Sequence, residues 1–228
     1  MQRGDLHRQH GDWSAAALDF DEAEKLDPSL FSVDLARAQM LAEAGREVEA
    51  KAALDRFIVR QPANPLGYAA RARVLMKATQ ASGAAEDFAA AISRSTQADP
   101  TLYIEHSRAL HAAGRDKEAI QTLDAGIANL GSLTVLVGEA IDLDEANGHT
   151  ALALARIEKV IDSAPRKERW LVRRATLLEK LGQPDESRKS LIAARLAIES
   201  LAPDRRASAA VAELNAQIDA AFGRVVPR

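Results

Sequence analysis

Between residues 31 and 64 the apolar positions fall into two helical stripes separated by a short polar break. Leu35, Met40 and Leu41, with Ala38 and Ala44, recur at the three-and-four spacing of a helix with one buried face. Gly45 follows where a chain leaving a helix commonly turns left-handed, which a residue without a side chain does cheaply. Ala50, Ala53, Leu54, Phe57 and Ile58 then form a second stripe, predicting a helix over Glu49 to Val59. Pro62 ends it, because proline disfavours helical backbone in the residue before it. Two antiparallel helices of this length cannot bury their apolar faces alone.

The same pattern recurs along the chain. Gly11, Gly45, Gly114, Gly148 and Gly182 are 34, 69, 34 and 34 residues apart. The 69 is two periods, with Thr79 in place of a glycine and one extra residue before the next repeat. A small-residue column runs in step (Ala16, Ala50, Ala84, Ala119, Ala153, Ser187), as does a large apolar one (Phe20, Leu54, Phe88, Leu123, Ile157, Leu191). A fourth column reads Arg3, Arg37, Arg71, His106, Ala140 and Arg174. The small residues fit close helix crossings and the large ones fit the space between one pair and the next. The recurring arginines fit packing with the aliphatic stem buried. A fixed period of this size predicts stacked helix pairs whose neighbours complete each other's core.

Residues 11–28, GDWSAAALDFDEAEKLDP, place Trp13, Ala16, Phe20, Ala23 and Pro28 in an order that resembles the second half of a tetratricopeptide repeat. The first-helix pattern is looser, with Arg3-Gly4, Arg37-Ala38, Arg71-Ala72 and Arg174-Ala175 where Leu-Gly is usual. The resemblance implies an all-α, right-handed superhelical solenoid of about six helix-turn-helix units and a C-terminal capping helix. The expected divisions of this single domain are 1–30, an incomplete repeat, then 31–64, 65–99, 100–133, 134–167 and 168–202, with the cap at 203–223. Three departures carry expectations of their own. The third repeat lacks its turn glycine, which predicts a longer or frayed loop. Asp144 stands where most repeats have leucine. Pro203 breaks the chain after a helix running to about Leu201, and Asp204 is placed to cap a last helix through Phe222.

Composition narrows the function. The chain has 228 residues, a net charge of −3 and 28% charged residues, a mixed balance that opposes nucleic-acid binding. Without cysteine, thiol catalysis and cysteine-built zinc sites are excluded. No apolar stretch reaches the roughly 18–20 residues that span a bilayer. Of the five histidines, His7 and His10 share a helical turn without a metal-completing carboxylate nearby in sequence. His106 falls in the arginine column and His149 follows a turn glycine. No hydrolase, zinc-protease or phosphate-loop motif is present, so no catalytic residue, metal or cofactor is expected.

In the resembled family the first helix of each pair lines a concave groove that holds a peptide or a partner's helix. In register, that face presents Gln39, Glu43, Arg73, Lys77, Arg108, His111, Asp142, Glu145 and Arg173, with Asp5, Arg8, Glu105, Glu139, Arg169 and Lys180 beside them. Pairing between helices, such as Arg173 with Glu139, competes with partner contact for these charges. The carboxylate clamp of chaperone-binding members is absent, since its positions read Met1, Asp5, Ala36, Leu66 and Ala70. The expected function is a non-catalytic scaffold for a protein or peptide partner. A regulatory or targeting module of a larger enzyme or envelope assembly is the alternative. The style of the repeats resembles bacterial tetratricopeptide proteins. The register starts the first helix upstream of Met1, which favours a periplasmic protein trimmed of its leader over a cytoplasmic one. It also allows self-association through uncovered apolar surface around Leu6 and Trp13.

Overall fold

The structure is a computed structural model that describes residues 1–225, and none of these forms a strand. Two compact units divide the chain. The first, Met1–Leu130, holds α1 (Gln2–Gln9), α2 (Trp13–Leu26), α3 (Ser32–Glu43), α4 (Glu47–Arg60), α5 (Pro65–Lys77), α6 (Ala81–Arg94), α7 (Pro100–Ala112) and α8 (Asp116–Leu130). The second begins at Gly131 and holds α9 (Thr134–Ala146), α10 (Thr150–Ser163), α11 (Glu168–Lys180), α12 (Pro184–Glu199), α13 (Pro203–Arg206) and α14 (Ala209–Val225). Within each unit successive helices pack consecutively as hairpins.

Local chemistry sets the helix ends. Asn64 and Asp99 cap α5 and α7 by accepting hydrogen bonds from the N–H groups of Leu66 and Thr101, and each is followed by a proline that needs no donor there. At the hairpin turn Gly45 takes φ +73°, which lets the Arg46 N–H reach back 2.8 Å to the Leu41 carbonyl. The third repeat closes in the same way without glycine. Thr79 adopts φ +58° and the Gln80 N–H donates to the Leu75 carbonyl at 2.8 Å. Its loop is as long as the one after α3, so the expected longer or frayed loop is not found. The backbone bonding fixes the turn and the β-branched side chain bears the strain. Thr79→Gly should therefore stabilise the chain by about 0.5–1 kcal/mol in urea unfolding.

The small and large apolar columns are buried in both units. Gly4 shows how close the helices of one pair come: an added Cβ would stand 2.7 Å from the Phe20 ring. Phe57 fills the junction between pairs, where a Cβ on Gly67 would meet its ring at 2.6 Å. At the other end α14 covers Val172, Ala175, Leu191, Ala194 and Ile198 with Val211, Ile218 and Ala221. Asp204 does not cap this helix. The chain makes only a short turn of helix at α13, breaks at Ala207, and starts α14 after Ser208, whose hydroxyl faces the Val211 N–H at 3.4 Å.

Candidate partner-binding groove

Within the first unit α3 and α5 flank a cleft of about 400 Å³. Leu35, Ala38, Ala42, Leu66, Ala70 and Val74 line it with apolar surface, and the three alanines keep it open. Gln39, Glu43, Arg73 and Lys77 stand at its edge, so four of the predicted groove residues surround one cavity. Arg108 and His111 lie exposed on α7, where the His111 ring pairs with Asp116. Asp142 and Glu145 on α9 and Arg173 on α11 belong to the second unit.

Most of these charges are engaged across neighbouring helices. Arg8 donates to Glu43 at 2.6 Å, with Gln39 also reaching Glu43. Arg73 holds Glu105 through two hydrogen bonds of 2.8 Å. The Arg173 guanidinium pairs with Asp142 and Glu145. Burial pushes the Glu145 carboxyl up, but Lys180 and Arg173 outweigh it and hold it below the ordinary carboxylate value. The apolar lining of the cleft is not distinguished by sequence alone, because alanine or leucine on a first helix reads as core.

The arginine column proves electrostatic as well as steric. Arg71 donates to Asp87, sixteen residues on, and to Asp55, sixteen residues back, all at 2.7 Å. Arg3 pairs with Asp19, Arg37 with Asp21 and Glu24, and Arg174 with Glu158 and the Ser190 hydroxyl. Of the positions sixteen residues before and after this column, the preceding ones form an acidic column of their own, Asp21, Asp55, Asp124 and Glu158, while the following ones are acidic only at Asp19 and Asp87. The fourth repeat has Ala90 and Thr122 at those offsets, so an arginine there would lack both partners. Neutral His106 suits the position: burial, then the Arg115 charge, lower its pKa from 6.5 to about 4. With the folded pKa below the unfolded one, this contribution to stability is present above pH 6.5 and is lost as pH falls towards 4. Urea unfolding should show stability falling across that window, and His106→Gln should flatten the dependence.

The fifth repeat inverts the arrangement. Ala140 occupies the arginine column and Arg156 the carboxylate one, sixteen residues on. Arg156 donates its Nε–H at 2.7 Å to Asp144, which is fully buried. The half-exposed His149 ring stands 3.8 Å from the other Asp144 oxygen. His7 does have carboxylates near it, Asp12 and Asp19 at 3.8 and 3.9 Å, yet no group of three or more metal-ligating side chains is assembled among the described residues. Leu6 is exposed, while Trp13 packs against the first unit's core. No helix among the described residues is long and apolar enough to cross a membrane.

Repeated helical hairpins with an open face between successive first helices define an α-helical repeat protein. Residues 1–65 match the tetratricopeptide repeat model, and the fold is similar to that of tetratricopeptide-repeat proteins. The C-terminal part of a tetratricopeptide protein from Cytophaga hutchinsonii is similar over 98% of this chain and 93% of its own, at 16% identity and a TM-score of 0.64. PilF of Pseudomonas aeruginosa matches over 88% of this chain and 90% of its own, at 13% identity and a TM-score of 0.59. YrrB, described as a tetratricopeptide protein with an unusual peptide-binding site, matches over 79% and 93%, at 14% identity and a TM-score of 0.58. At these identities the likeness is one of fold. No curated protein matches the chain by sequence.

Proposed function

We propose that the protein is a non-catalytic scaffold that holds a peptide or a partner's helix in the cleft between α3 and α5. The fold supports protein–protein interaction in general. The observation that carries the finer reading is the apolar cleft, open to solvent at Leu66 and edged by charge on both flanks. Small side chains on facing helices leave room for a partner's apolar residue, and burying one side chain there contributes roughly 1.5–3 kcal/mol. The charged edge then orients the segment and sets specificity.

A photo-crosslinking residue placed at Leu66 in the native host tests this. It should yield a discrete protein adduct that disappears when Ala70→Arg fills the cleft. The same residue at Val48, exposed on the second helix of the pair, should yield none. Equal labelling from both positions, or an adduct insensitive to Ala70→Arg, would count against the groove.

A further inference from the structure

We infer that the cleft between α3 and α5 receives a carboxylate-bearing side chain from an apolar segment of the partner, with Lys77 as its counter-charge. This rests on the groove reading above. The two units differ at one matched pair of positions. Lys180 and Glu145 each stand 103 residues after Lys77 and Ala42, three repeats on in the same register. In the second unit this pair closes as a salt bridge, with Lys180 Nζ 3.0 Å from Glu145 Oε2. In the first unit the lysine is kept and the carboxylate is not. Lys77 Nζ reaches over the cleft and donates to the backbone carbonyl of Ala42 at 3.2 Å.

Replacing a glutamate by alanine at this point does two things together. It leaves an ammonium facing a partial charge where the equivalent lysine faces a full one, and it removes the side chain that would fill the cavity. The other charges at the edge are already matched, Arg8 by Glu43 and Arg73 by Glu105. An incoming carboxylate therefore meets an ammonium with no carboxylate partner, beside an apolar floor of Ala38, Ala42, Ala70 and Val74. A basic segment would meet Lys77, whose ammonium rests on a backbone carbonyl, and be repelled. A charge-assisted hydrogen bond of this kind is about twice as strong as a neutral one, so the occupant is an apolar segment with an aspartate or glutamate among its leucine-like residues.

The test uses short fluorescein-labelled helical peptides of leucine and alanine, carrying one glutamate placed in turn at each position, with glutamine and lysine counterparts. Anisotropy on the whole chain should show the best glutamate peptide binding about tenfold more tightly than its glutamine counterpart, and the lysine peptide binding least. Lys77→Gln should erase that preference. Ala42→Glu supplies the carboxylate from the chain itself and fills the cleft, so it should weaken binding about tenfold while circular dichroism stays that of the parent. If all three peptide types bind alike and Ala42→Glu still blocks them, the groove stands and the carboxylate assignment falls. If no peptide binds and the Leu66 crosslinker also yields no adduct, both fall.

Discussion

Arg156→Met should destabilise the second unit by about 3–5 kcal/mol, because it strands a buried carboxylate without its cation. Asp144 is fully enclosed and one of its oxygens already lacks a hydrogen-bond partner. Removing the guanidinium leaves only the half-exposed His149 ring nearby, at 3.8 Å. The pair itself is not a reason for stability, since desolvating two charges offsets much of their attraction. Four of the other repeats place leucine at the Asp144 position: Leu41, Leu75, Leu110 and Leu178. The double variant Asp144→Leu with Arg156→Met should therefore recover the loss and come close to the parent or exceed it. Urea unfolding of the parent, both single variants and the double variant completes the cycle. A single-variant loss below 1 kcal/mol would mean that water reaches Asp144 and the pair is not truly buried.

Phe57→Ala should cost the first unit about 3–5 kcal/mol, combining lost transfer energy with an unfilled cavity. The ring is buried at the junction of α4 and α5, against Gly67, whose missing Cβ makes room for it. Nothing else is positioned to refill that space, because the two helices already approach as closely as a glycine allows. In a chain of nearest-neighbour contacts the damage should be strongest at that junction. Hydrogen exchange should accelerate most in α4 and α5, with smaller changes in α8. Val59→Ala, on the exposed side of the same helix, should change stability by less than about 0.5 kcal/mol. Uniform acceleration through α1 to α8 would show the first unit to be a single cooperative block.

These two positions illustrate different degrees of legibility. Phe57 was readable as an inward residue from helical spacing alone, and its burial follows from the period of the helix. Asp144 was visible only as a departure from leucine. Its partner lies twelve residues on, in the next helix, and nothing local to Asp144 names it. The groove lies between these cases. Gln39, Glu43, Arg73 and Lys77 follow from register, because first helices share a face at one period. The cleft itself does not, since Ala38, Ala42 and Ala70 look like core until the gap between α3 and α5 is seen.

Periodicity by itself determined the helical hairpins, their repetition, the turn positions and the buried columns, since a 3.6-residue stripe and a repeat of about 34 residues leave few ways to bury apolar surface. It also held a carboxylate sixteen residues from each arginine of the column, on both sides only at Arg71. Only the tertiary structure decided how charges pair across helices, why His106 replaces an arginine, and how Thr79 carries a turn made elsewhere by glycine. The physical reason is range. Apolar patterning is a property of one helix, whereas ion pairs, cavities and backbone strain depend on distances of a few ångströms between segments that the sequence keeps far apart.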